Sequence, residues 1–410
     1  MELKTKYQYT NFIYPYIVTE SKYEKYLLGL LRNKNCSLKY FEKERDLDIY
    51  NFFLPKIREY LFRNFEFTKE KIKRFKEFDD KMQARILAQY PCISFEYKMG
   101  KDIQAKAGKE NGIFFKVQKI EIICFNTGIC FLNLKTNVED STRFSDILNF
   151  NYKFKDSGSE LSNLKNYENI HIQTDDFSET TDLLKLINMF VPNKKYGSKA
   201  NLDINRFYTY AYTCIEQEYW NYGEPFEKIK NEFLKYMYVL KSASNVTTEY
   251  NDNYIIEGWK FAKIGIHNMG MVLLSSAYEK ENYTKLPFSY ENEYFYLYIW
   301  ILYKKIYLNK ISKEMNKIED NIKTRKKFVK FTQNIWIHEI TNDEIGIELD
   351  KKISKKLELE KLYQEVKNKY DIMYKELKIE KNSKINKCIL GALIISVGLN
   401  IINFIGLFLK

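Results

Sequence analysis

The C-terminal run constrains this chain more than any other feature. From Cys388 to Leu409 it reads CILGALIISVGLNIINFIGLFL, 22 residues without a charge, and only Lys410 follows. A helix of that length measures about 33 Å, against a bilayer core of about 30 Å. Fourteen of its side chains are Leu, Ile, Val or Phe, each favouring insertion by about 0.3–0.6 kcal/mol. The sequence therefore predicts a single C-terminal transmembrane helix. Lys375, Lys378, Lys381, Lys384 and Lys387 crowd its near side. By the positive-inside bias this predicts a single-pass protein of the inner (plasma) membrane with its N-terminal domain cytoplasmic.

The fold class that follows is an α+β cytoplasmic domain, then a long α-helical stalk and a single transmembrane helix. The expected boundaries are 1–190 for an α/β domain, 191–340 for a mainly helical region, 341–387 for the stalk and 388–409 for the span. The strongest strand signal is Ile113–Leu134, where two β-branched and aromatic runs meet at Asn126-Thr127-Gly128, a hairpin turn. Thr68 opens a helical pattern through Ile72, Phe75, Phe78, Met82 and Ile86, ending at Pro91. Tyr294–Tyr303 is apolar but too short to span, so it reads as a buried helix. Ile264–Tyr278 belongs in a core as well.

Thr341 to Glu344 has capping-box spacing, and no proline follows Pro287. One helix of about 70 Å is expected from Asn342 to Lys387. Leu359, Tyr363, Val366, Tyr370, Met373 and Leu377 alternate at four and three residues along it. That heptad seam packs either against the chain's own helices or against copies of itself. Within the span, Ser396, Asn400 and Asn403 fall within about 60° of one another. Such a stripe needs partners from several chains, either as an interhelical hydrogen-bond seam or as the lining of a pore.

The net charge is +12. The juxtamembrane lysines suit anionic lipid. A second cluster, Lys323, Arg325, Lys326, Lys327 and Lys330, alternates with Phe328 and Phe331 and offers either a phosphate site or a solvated or lipid-facing helix surface. No recognition motif accompanies it, so direct DNA binding is not expected. The six cysteines form no CxxC and read as free thiols.

The hairpin IEIICFNTGICFLNL resembles the strand–turn–strand segment of divergent CorA-like proteins, and Phe328–Leu349 with the helix after it resembles the start of their stalk. The family's Gly-Met-Asn signature and second transmembrane helix are absent. In this respect the chain is similar to the CorA-like membrane effectors of type III CRISPR defence. The resemblance implies a homo-oligomer, pentameric in that family, and a nucleotide second messenger such as a SAM–AMP conjugate or a cyclic oligonucleotide. Mg²⁺ is the ion the wider family implies.

No HExxH, GxSxG or Walker loop occurs, and the three histidines lie far apart. Asp79-Asp80 and Asp175-Asp176 read as solvated pairs. No catalytic residue, metal site or firm cofactor is expected, and the chain does not read as an enzyme. Candidate ligand-binding residues are Asn126, Thr127, Gly128, Arg143, Asn149 and Asn151, whose donors suit phosphates and bases; their structural alternative is to close the hairpin and cap its neighbours. The function expected is an oligomeric membrane channel or effector in antiviral defence, gated by a cytoplasmic nucleotide and acting by ion leakage or membrane disruption. The alternatives are a divergent magnesium or divalent-cation transporter and a tail-anchored scaffold.

Overall fold

The computed structural model describes residues 2–63, 68–98, 104–107, 113–138, 141–155, 170–174, 177–182, 187, 189–191, 207–315 and 321–408. Two compact units emerge: residues 1–306 with 338–357, and residues 307–337 with 358–410.

The first unit is built on a twelve-stranded sheet. Its strands are β1 (Thr5–Ile17), β2 (Cys36–Lys39), β3 (Cys92–Tyr97), β4 (Gln104–Ala107), β5 (Ile113–Phe125), β6 (Ile129–Val138), β7 (Ile170–Thr174), β8 (Phe177–Asp182), β9 (Tyr208–Ile215), β10 (Ile255–Trp259), β11 (Ala262–His267) and β12 (Gly270–Ser276). The order is β10-β11-β12-β9-β1-β6-β5-β4-β7-β8, with β3 also on β5 and β2 on β3. Among the described strands only β12 and β9 pair in parallel. The hairpin forms where the sequence places it: Cys124 faces Cys130 across β5 and β6, and Gly128 takes φ +81°.

Both faces of the central strands are covered, which is why β5, β6 and β9 read as nearly continuous apolar runs. Phe12 on one face stacks on Phe154 of helix Phe144–Lys155 (ring centroids 3.9 Å apart). On the other face lies helix Phe295–Met315, its buried aromatic start confirming the reading of Tyr294–Tyr303. A π-helical turn, Tyr290–Tyr294, leads into it. Residues 208–276 were expected to be mainly helical, yet they supply four strands of this sheet. Of Ile264–Tyr278, expected in a core, Ile264–His267 and Gly270–Ser276 are buried in β11 and β12, while Asn268 and Tyr278 are exposed.

Local signals were read too coarsely in two places. The helix from Thr68 is two helices: Thr68 caps Lys69–Glu77, and Asp79 caps Asp80–Leu87 by accepting from the Met82 N–H at 2.8 Å. Each cap satisfies free N–H groups that a continuous helix would not leave. Downstream, Asp343 rather than Thr341 caps Glu344–Lys356. Thr341 instead donates to the Phe52 carbonyl.

In the second unit, helix Asn321–Asn334 lies along the first half of helix Leu359–Phe408. Trp336 stacks on Tyr363 with centroids 4.3 Å apart, and Phe328 meets Tyr363 and Tyr370. Leu359, Val366 and Met373 are buried. The heptad seam is thus filled by the chain's own helix over its described length; Leu377 lies outside the described side chains. The expected 70 Å rod is also interrupted, because Glu358 takes φ +53° between the two helices.

The C-terminal expectation is corrected. Among the described residues no helix is long and apolar enough to cross a membrane. Helix Leu359–Phe408 carries charge throughout its first half. The transmembrane helix of the expected fold class does not stand, nor do the ion-channel reading and the single-pass inner-membrane placement built on it. The pore-lining role of Ser396, Asn400 and Asn403 rested on that span. Ser396 is exposed, while the Asn400 and Asn403 side chains lie outside the described residues.

Candidate functional site

The residues singled out as ligand-binding are not brought together. Asn126, Thr127 and Gly128 sit at the β5–β6 turn, where the Val18 N–H donates to the Gly128 carbonyl at 2.7 Å. Asn151 is buried against Thr10, whose hydroxyl donates to its Oδ1 at 3.0 Å. Thr10 and Val18 are eight residues apart on an extended strand, a separation of about 26 Å. Asn149 accepts from the backbone and hydroxyl of Ser242. Arg143 is exposed and paired with Asp146 at 3.1 Å. Each of the last three is thus spent on local structure.

The basic cluster is likewise dispersed around its helix. Arg325 lies over the rings of Tyr370 and Tyr374. Lys327 pairs with Glu314 at 2.9 Å. Lys323 and Lys326 are exposed on other parts of the turn. Asp80 is paired with Arg32, and Asp175-Asp176 lies outside the described residues.

A different group of residues converges on the sheet face under helix Phe295–Met315. A β-bulge between Val117 and Lys119 shifts the β5–β6 register, after which Lys119 stands directly opposite Lys135. Like charges in that position repel, and three carboxylates offset them. Lys119 reaches Glu96 at 3.2 Å and Glu121 at 3.4 Å. Lys135 reaches Glu291, on the π turn, at 2.6 Å. Lys39 on β2 completes the strip, 3.0 Å from Glu121 and donating to the Tyr296 hydroxyl at 2.7 Å. Three lysines therefore balance three glutamates.

Burial grades the set. The Glu121 side chain is 3% exposed, against 28% for Glu291 and 39% for Glu96. Burial alone would raise the Glu121 pKa, but Lys119, Lys39 and the Tyr296 hydroxyl outweigh it and hold that carboxyl down to about 2. Lys39 is moved the other way: its own desolvation lowers its pKa despite the glutamates. Lys119 gains more from Glu121 and Glu96 than it loses to burial, so its pKa is raised.

Tyrosines wall the Lys135 end. Tyr9 lies under Lys135, the ammonium 4.6 Å from the ring centroid. Tyr9 stacks on Tyr212, and the exposed ring of Tyr7 sits edge-on to both. Chemically the strip offers two adjacent cations on paired strands, carboxylates of unequal exposure, and an aromatic surface open to solvent. One sequence signal could have found it: Lys119 and Glu121, two apart and so on one face, alternate with the apolar Ile120 and Ile122 in the half of β5 that is otherwise apolar. Among the described residues, no group of three or more His, Cys, Asp or Glu is placed to hold a metal ion. No family model, no curated protein and no solved structure matches the chain.

Proposed function

We propose that the sheet-bearing unit is a receptor for a small phosphate-bearing nucleotide, and that the protein is a ligand-controlled, self-associating effector rather than an enzyme. The observation that carries this reading is the juxtaposition of Lys119 and Lys135 at a β-bulge. Two fixed ammonium groups side by side suit the spread charge of a phosphate better than the separate carboxylates they now hold. Bulges recur next to functional sites because they re-aim a side chain. The exposed face of Tyr7 supplies a stacking surface beside the cations, worth about 1–3 kcal/mol per base. The ligand class agrees with the one implied by the likeness to CorA-like CRISPR effectors.

Self-association is supported by the far half of helix Leu359–Phe408. Ile385, Ile389, Leu390, Leu393, Ile394, Ile395 and Val397 are all 46–66% exposed. A contiguous apolar surface of this kind marks an association site.

Equilibrium binding of AMP, cyclic tetra-adenylate and a SAM–AMP conjugate tests the receptor, with adenosine as the uncharged control. Binding that needs the phosphate and weakens about 10–100-fold in Lys119→Met and Lys135→Met, the range for a lost charged hydrogen bond, is the expected result. Equal binding by these variants and the wild type would sink the assignment. Light scattering on the full chain tests the second part: a strictly monomeric mass at every concentration counts against self-association.

A further inference from the structure

We infer that Glu291 is an internal stand-in for the ligand's phosphate, held on Lys135 by the π turn and expelled when the phosphate binds. This inference rests on the receptor reading above and assigns that site its regulation. Of the three carboxylates in the strip, Glu121 is fixed by two lysines and by the Tyr296 hydroxyl at 2.8 Å. Glu291 is different. Its ion pair is with Lys135, and its side chain is 28% exposed against 3% for Glu121. It is carried by a helix turn rather than by a strand.

That turn can move its side chain without unfolding. A π turn holds one residue more than an α turn, and such turns gather at functional sites. Here the extra residue is accommodated by side-chain bonds to the backbone: Tyr210 donates to the Tyr290 carbonyl, and Asn292 Nδ2 donates to the Phe288 carbonyl at 2.9 Å. Relaxing Tyr290–Tyr294 to α geometry shifts the helical phase by one residue, about 100°, and swings Glu291 away from Lys135. Lys135 stays in place because it is anchored in β6 over the Tyr9 ring. A phosphate carries more charge than the carboxylate it replaces, so the exchange favours the ligand once it arrives.

The test measures AMP, the unit common to the candidate ligands, against wild type, Glu291→Gln, Glu293→Gln and Lys135→Met. Glu293 lies on the same turn and, with binding measured at about pH 8.5 so that its raised carboxyl is ionised, serves as the control for a generic change of charge. The expected result is about tenfold tighter binding in Glu291→Gln, no tightening in Glu293→Gln, and loss in Lys135→Met. Hydrogen exchange of wild-type residues 290–294 provides a second measurement and should change when AMP is added. If AMP binds wild type and Glu291→Gln alike while Lys135→Met loses it, the stand-in role is wrong and the receptor stands. Binding of AMP with no change in exchange at 290–294 overturns the π-turn movement. If no variant binds AMP at about 1 mM, an affinity near −4.1 kcal/mol, the receptor reading and this inference both fail.

Discussion

The ring of Phe125, the last residue of β5, lies flat on Tyr303, with centroids 3.8 Å apart and planes 7° from parallel. This stack clamps the middle of helix Phe295–Met315 to the sheet, and both rings are fully buried. It fixes the helix from which Tyr296 reaches Glu121. The structure thereby ties the packing of one aromatic pair to the geometry of the charged strip. Phe125→Ala is expected to cost about 3–5 kcal/mol, because it removes a fully buried ring and leaves a cavity against Tyr303. Urea unfolding followed by circular dichroism reads the loss directly.

Gly128 makes a sharper demand. A Cβ built there would stand 2.0 Å from the Val18 carbonyl oxygen, which is backbone and cannot move aside. The φ of +81° adds a conformational penalty for any L side chain. Gly128→Ala should therefore destabilise the first unit by more than about 1 kcal/mol, the ordinary cost of a left-handed residue. A melting temperature equal to wild type would show that the turn can be rebuilt.

Glu121 is the keystone of the strip. Removing its charge leaves Lys39 and Lys119 in each other's field, with Glu96 as a carboxylate both still reach. Glu121→Gln should cost about 3–5 kcal/mol, the range for breaking a buried pair from one side. The double variant Glu121→Gln with Lys39→Met should recover much of that loss, since the uncompensated buried charge is then gone. A double-mutant cycle on urea midpoints measures both.

Two groups give stability opposing dependences on pH. His267 is buried at the β11–β12 turn, its Nδ1 accepting from the Met269 N–H at 3.3 Å. Burial, helped by Lys155 and Lys356, lowers its pKa from 6.5 to about 3. A depressed histidine contributes stability above pH 6.5 and loses it as pH falls from 6.5 towards 3. Glu293 is raised from 4.5 to about 7 by burial, with Asp48 and Asp343 adding to it. A raised carboxyl contributes fully below pH 4.5 and loses that contribution as pH rises through 7. Between pH 4.5 and 6.5 the slopes oppose, each at most about 1.4 kcal/mol per pH unit and smaller for Glu293, which solvent partly screens. Wild-type stability should be nearly flat there. His267→Asn should become less stable with rising pH, and Glu293→Gln less stable with falling pH, in urea titrations across this window. Glu121 adds its own loss only below about pH 4.5, as pH falls through its unfolded value.

The hairpin and the aromatic helix were legible because their signals are local. Asn126-Thr127-Gly128 between two β-branched runs specifies a turn through the backbone freedom of a single residue, and YFYLYIWILY has no charge to expose. The strands of residues 208–276 were not legible. The side chains of β9, β11 and β12 are almost all buried on both faces, so the period-2 alternation that distinguishes a strand is erased there. The break at Phe78 was hidden for a related reason: its helical spacing continues across it, and only the Asp79 cap interrupts the backbone. The heptad seam was visible, but its partner was not, since Phe328 comes from a helix, and Trp336 from just past its end, more than twenty residues away in sequence.

What the sequence determined by itself is the local turn chemistry, the apolar surfaces that must be covered, and a pair of charges inside a buried strand. Which surfaces meet was decided only in three dimensions. Lys119 and Lys135 are sixteen residues apart, and a one-residue bulge sets them opposite each other; Glu291 arrives from another 156 residues on. Charge pairing depends on distance through space, which register and packing fix and composition does not.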